Sequence, residues 1–442
     1  MKSRAVRRLL SGWAFAFAVL LPVPEIAHAA PTGIKVPSGS TFILDGDSGK
    51  QFTCAPVRRK LVSGRISRKL FFPSTYTLTD LKEKIKKASG SKKKSLQRKL
   101  ASETARIRAQ DAQCRLGPDP LTQVRRALTE SDVRHLYDRA AFGAVTPEII
   151  NLGVSQGVGP LVDNLMNPVP SPAVETESSK YLDENFTTDS TNVTDRGVQL
   201  WALNNLIKQP NPFHDRFAFL FLHNVLATSM EALTDDAMNP LMVDHLNKIR
   251  AGAVSGDYIT LLKQISRDPV MLIWLNGNQN TKFKPNENFA RELMELFTLS
   301  PVDAAGNINY SETTVAQVAR ACTGWTVQRL NVGDNQFVYS SVFGEQIHDP
   351  DPAKVIFEGT PYQGLVNNDF DVIDHIFARH PDVDNYLAER ILKEYLNETP
   401  SQRVVESLAR FLKANNFNVS LALRKVLKSE AFYDAANRNS IV

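Results

Sequence analysis

Three cysteines in 442 residues are too few for a disulfide scaffold. The chain has no His-Glu-x-x-His run, no glycine-rich phosphate loop with a following Lys-Ser or Lys-Thr, and no EF-hand ligand order between Asp303 and Glu312. Zinc-protease, P-loop and EF-hand chemistry are therefore set aside. Gly153-Val154-Ser155-Gln156-Gly157 has the spacing of a hydrolase nucleophile elbow, but Pro147-Glu148-Ile149-Ile150 before it reads as helix where a strand is required. No strand-helix-strand rhythm points to a parallel sheet, and no internal repeat appears. The basic residues lack an interleaved set of stacking aromatics, so no nucleic acid partner is expected.

What is present begins with an export leader. Lys2, Arg4, Arg7 and Arg8 precede an apolar run from Leu9 to about Pro22, and small residues follow at Ala27, Ala29 and Ala30. The run is short for a membrane span, and no longer one follows it, so no stable span is expected after cleavage near Ala30. The expected location is periplasmic or secreted, through the Sec route ahead of the twin-arginine route that the Arg7-Arg8 pair also suggests. In that oxidising compartment Cys54 and Cys114 are expected to pair, with two separate thiols as the alternative, and Cys322 is left over as a packed thiol.

The net charge of +5 hides a division. Lys50 to Arg126 carries 21 basic and 5 acidic residues, whereas Ala127 to Val442 carries 26 and 39. A basic region is joined to an acidic body. Residues 1–29 read as the signal peptide. Residues 30–120 read as a basic N-terminal region holding short strands near Thr41-Phe42-Ile43-Leu44, a basic helical hairpin over Thr79 to Gln113, and a linker at Gly117-Pro118-Asp119-Pro120. Residues 121–442 read as one large multi-helical domain, so the fold class is mainly α. Thr129-Glu130-Ser131-Asp132 has the outline of a cap. Helical spacing recurs near 197–208, 213–227, 240–253, 258–266, 286–299, 312–324, 369–379, 383–396, 402–415 and 420–427. The stretch from Phe337 to Gln363 breaks the pattern and is expected to form a short hairpin or irregular insert.

The most distinctive segment is Asn286-Glu287-Asn288-Phe289-Ala290-Arg291-Glu292-Leu293-Met294-Glu295-Leu296-Phe297-Thr298-Leu299, with Asn286 as its cap. Helical spacing places Phe289, Leu293, Leu296 and Phe297 on an apolar face and gathers Asn288, Arg291, Glu292 and Glu295 opposite. In a cleft, Arg291 would hold one carboxylate ionised while a less solvated one kept its proton for general acid catalysis. Glu292 and Glu295 would also suit a divalent cation, and in water the same residues would be an ordinary paired face. His348-Asp349 with Lys354 in the irregular insert forms a second candidate. His223 ends the run Phe217-Ala218-Phe219-Leu220-Phe221-Leu222, where a buried helix would explain it.

Five blocks together resemble the bacterial family called domain of unknown function 1800: His135-Leu136-Tyr137-Asp138-Arg139-Ala140-Ala141-Phe142-Gly143, Asp268-Pro269-Val270-Met271-Leu272, the Asn286 to Leu299 run, Thr323-Gly324-Trp325 and His348-Asp349. The resemblance covers about Ala127 to the C-terminus. It implies an exported, largely helical protein, often encoded beside exported sulfatase-like proteins, which makes such a protein the expected partner of a non-catalytic assembly role. It also raises the polar residues as one site, in which Glu292, Glu295, Arg291, His348 and Asp349 would act in catalysis and Glu287, Asn288, His223, Trp325 and Lys354 would bind substrate. The activity expected is hydrolytic, with a divalent metal bound by Glu292, Glu295 and His348 as an alternative. Ser300-Pro301 stands where the family usually has glycine. His223-Asn224-Val225-Leu226 keeps only the first histidine of a segment that often has two, so a metal site using both is not expected.

Overall fold

Thr129 opens the helical body as the sequence predicts. Its hydroxyl accepts from Asp132 N–H while the Asp132 carboxylate accepts from Thr129 N–H at 2.7 Å, closing a capping box. The computed structural model describes residues 121–438 except 123, 168–170, 184–192 and 334–335, together with 41–44, 51–54, 59–62, 65–68, 84–85 and 87–99. The leader, the linker and Cys114 lie outside these residues, as does the hairpin beyond 99. Within the basic region, helix runs over 90–99. Strands β1 (Thr41–Leu44) and β2 (Gln51–Cys54) pair antiparallel, as do β3 (Arg59–Val62) and β4 (Arg65–Arg68).

The body is mainly helical, as expected. It runs α1 (Glu130–Ala141), α2 (Pro147–Gln156), α3 (Val158–Leu165), α4 (Pro172–Asp183), α5 (Asp195–Lys208), α6 (Phe213–Arg216), α7 (Asn239–Ser255), α8 (Tyr258–Ser266) and α9 (Pro269–Trp274). These are followed by α10 (Asn288–Glu292), α11 (Glu312–Ala321), α12 (Asp369–Arg379), α13 (Val383–Tyr395), α14 (Gln402–Ala414), α15 (Val419–Lys428), α16 (Glu430–Tyr433) and α17 (Ala435–Arg438). Two of them, α6 and α10, continue into π-helical turns at Phe217–Leu222 and Leu293–Thr298. Every strand among the described residues belongs to a two-stranded antiparallel pair.

The irregular insert starts earlier than its sequence suggests. A hairpin of β5 (Trp325–Gly333) and β6 (Gln336–Phe343) follows α11, then β7 (Lys354–Ile356) pairs with β8 (Gly364–Val366). Gly324 makes the exit from α11, with φ of +107°. A Cβ there would lie 2.6 Å from the Phe343 ring, so both backbone and packing require glycine.

One large apolar core joins α1, α3, the Phe213–Leu226 segment, α8 and α10–α15, with Leu136, Phe217, Leu262, Leu293, Ile391 and Leu423 fully enclosed. A smaller core holds Val198, Trp201, Leu241, Met242, Leu246 and Val270 between α5, α7 and α9, and Tyr339 of β6 packs against it. The polar groups described next lie where α7 and α9 meet.

Candidate functional site

Helix α7 carries Leu241, His245 and Ile249 four residues apart, and all three are buried. A histidine on this apolar stripe needs partners for both ring nitrogens. Nδ1 of His245 lies 2.9 Å from Oδ1 of Asp268, the residue that caps α9 by accepting from Val270 and Met271 N–H. Nε2 of His245 lies 3.1 Å from Oγ1 of Thr228, which is also 3.1 Å from Nε2 of His223. Lys248, one turn from His245 on α7, pairs with the other Asp268 oxygen.

Burial works against a charged Asp268, but the hydrogen bond and charge of His245, with Lys248, outweigh it and hold the carboxyl below its usual range. An ionised Asp268 only accepts, so His245 carries a proton on Nδ1. Thr228 Oγ1 lies within hydrogen-bond reach of Nε2 on both rings. Burial, then the neighbouring His245, push His223 down to about 3, so its ring is neutral at pH 7. The result is a continuous chain Asp268–His245–Thr228–His223, with Thr228 and His223 partly open to solvent. Its parts have the order of a carboxylate orienter, a base and a hydroxyl nucleophile.

The carboxylate-rich segment is a different place. Asn286 accepts from Asn288 N–H at 2.9 Å and so turns the chain into α10. Arg291 forms a two-pronged pair with Glu312 of α11 at 3.1 and 2.7 Å and reaches Glu287 at 3.2 Å. Glu287, Asn288 and Glu312 are exposed. Glu292 is half-buried, and burial followed by the neighbouring Glu295 charge raises its carboxyl above the usual range. The same carboxylates act on Tyr310, which burial first and Glu295 second push up to about 12. Tyr386 of α13 donates to Leu296 O at 2.6 Å beside them. The expected apolar face needs correction at one position. The π turn leaves Leu296 exposed and buries Met294 instead, because its longer turn rotates the later residues relative to an α-helix.

The third group is the hub around Thr323-Gly324-Trp325. Nδ1 of His348 sits 2.8 Å from Thr323 O, and Thr323 Oγ1 accepts from Asp349 N–H at 2.8 Å. Asp349 and Asp351 both take Arg320, each at 2.7 Å. Lys354 is wholly buried and donates to the carbonyls of Asp349 and Asp351. Trp325 stacks on Arg267, whose guanidinium carbon is 4.7 Å from its ring centroid, and Arg267 in turn holds Asp369. Asn280 links this hub to α10, since its Oδ1 accepts from Asn286 N–H and its carbonyl from Gly324 N–H.

The nominated side chains thus fall into three separate groups: Glu287, Asn288, Arg291, Glu292 and Glu295 along α10 and its π turn; Trp325, His348, Asp349 and Lys354 in the hub; and His223 in the histidine chain. Sequence reasoning missed Thr228 and His245 and did not assign Asp268 a role. Two signals were present: a histidine on the apolar stripe of α7, and Asp268 directly before a proline that opens a helix. No group of three or more His, Cys, Asp or Glu side chains suited to a metal ion occurs among the described residues. Neither the curated proteins nor the solved structures contain a match to this chain. A family model described as "Protein of unknown function (DUF1800)" matches residues 135–441, a span that includes the histidine chain, the carboxylate helix and the hub, and the protein belongs to that family.

Proposed function

We propose that the protein is an exported hydrolase-like enzyme whose nucleophile is Thr228. The observation that carries this reading is the spacing of the Asp268–His245–Thr228 chain, 2.9 and 3.1 Å, which sets the hydroxyl beside Nε2 of an imidazole held by a carboxylate. In the reaction, Thr228 Oγ1 attacks the acyl carbon of an ester-type substrate and passes its proton to Nε2 of His245. Asp268 steadies the imidazolium that forms, and His245 returns the proton to the departing oxygen. Water then enters by the same route, splits the acyl-threonine and restores the hydroxyl. His223, held neutral, fixes the threonine rotamer in the resting state.

Thr228→Ala is expected to lower the turnover of an activated ester such as p-nitrophenyl acetate by a hundredfold or more, of the order found when a triad nucleophile is removed, with Thr228→Ser retaining part of it. A fluorophosphonate should label Thr228, as read by peptide mass. Equal turnover by wild type and Thr228→Ala, with no label on Thr228, would sink the proposal.

A second reading is favoured by Glu292, half-buried beside Glu295 one helical turn away, since its raised carboxyl suits a general acid. Glu292→Gln separates the two: it abolishes turnover under this reading and leaves Thr228 chemistry intact under the first.

A further inference from the structure

Helices α1, α6 and α13 bring three guanidinium groups around one carboxylate. Arg216 of α6 approaches Glu394 of α13 at 3.6 Å, well beyond the 2.7–2.9 Å of a charge-assisted hydrogen bond. Its Nε and Nη1 are both buried and make no hydrogen bond. The Arg216 guanidinium carbon lies 5.5 Å from the Phe142 ring centroid and 5.4 Å from that of Tyr395. Arg139 of α1 points its Nη2 at the carbonyls of Asn437 and Arg438, at 3.3 and 3.5 Å. Arg390 stands one turn before Glu394 on α13, and Arg216, Arg390 and Arg139 all act on the Glu394 charge.

Two further observations indicate that this cluster awaits a ligand. The Tyr395 hydroxyl, in a residue 1% exposed, makes no hydrogen bond of ordinary length and faces the Arg216 guanidinium, with Glu394 near it. Phe142, the left-handed C-cap of α1, is half exposed beside Arg216 and leaves that guanidinium a way to solvent. Three cations with one anion leave a positive excess in a poorly hydrated place, where an oxyanion gains most.

The geometry points to a binding site for a small oxyanion, the carboxylate, sulfate or phosphate group of a soluble ligand, held by Arg216, Arg139 and Arg390 with the Tyr395 hydroxyl as a further donor. Glu394 occupies Arg216 loosely and competes with the ligand. The site shares no residue with the Thr228 chain.

The test is titration of the full chain with sodium acetate, sulfate and phosphate separately, against sodium chloride at matched ionic strength, read by calorimetry and thermal melting. At least one oxyanion should bind saturably, and the three arms identify which group it carries. Arg216→Gln should weaken that binding about tenfold or more. Glu394→Gln, which removes the competing charge without truncating a side chain, should tighten it about threefold or more. Thr228→Ala should leave it unchanged, so the outcome is independent of the catalytic reading. A response no different from chloride in both wild type and Glu394→Gln would overturn the site and mean that water alone satisfies these donors.

Discussion

His223 and His135 are held neutral by their surroundings, and a pH dependence of stability follows. Burial is the main cause for both, reinforced by His245 for the first and by Arg139 for the second, and it pushes them to about 3 and about 4 from an ordinary 6.5. The unfolded chain takes up a proton on each ring as pH falls through 6.5, whereas the folded chain does so only near the lower values. Their contribution is therefore complete above 6.5 and is lost progressively towards 4 for His135 and 3 for His223. Each should add at most about 1.4 kcal/mol per pH unit to the loss. Urea unfolding between pH 7.5 and 5 should show the slope, and His135→Gln and His223→Gln should each flatten it. An unchanged slope in both variants would contradict the neutral assignment. Residue identity alone marked His223 as a candidate, but its charge state is set by burial and then by the neighbouring His245.

At the scale of elements, local signals carried far. Apolar spacing located α8 and α12 to the residue, and the structure shows why they begin there: Asp257 and Asn368 accept backbone N–H groups of the first turn. The same periodicity could not show the π turns, since a single wider turn leaves composition unchanged. In the turn after α10, Thr298 Oγ1 donates to Leu293 O at 2.7 Å, five residues back, where it satisfies a carbonyl in the core. Thr298→Val keeps the shape and loses this bond, so a cost of about 1–2 kcal/mol is expected in chemical denaturation. A variant as stable as the parent would mean that the turn owes nothing to that hydroxyl. The hairpin β5–β6 was anticipated only from Phe337 onward. Trp325-Thr326-Val327 adjoins a helix with no turn residue except Gly324, and its extended form is fixed by pairing with Ser341-Val342-Phe343.

Across the whole molecule, the chain closes on itself. Val124 bridges to Ser429, Arg125 N–H donates to Lys428 O, and Asp132, fully enclosed, takes Arg438 from the last described helix and Arg125 at 3.5 Å. Arg438→Met should therefore leave a buried carboxylate short of one partner and cost about 3 kcal/mol, the lower end for breaking a buried pair because Arg125 and Thr129 remain. Thermal melting checks this, and a change below about 0.5 kcal/mol, the range of an ordinary surface substitution, would refute it. The sequence by itself determined the mainly helical class, the positions of many helices and the family, because these rest on spacings of a few residues. Tertiary structure alone decided that Thr228, His245 and Asp268 line up, that Lys354 faces inward to carbonyls, and that Arg139, Arg216 and Arg390 surround Glu394. Apart from Lys354 and Arg390, whose partners are local, these meetings join residues far apart in the chain, and their geometry depends on how helices pack, which no local pattern encodes.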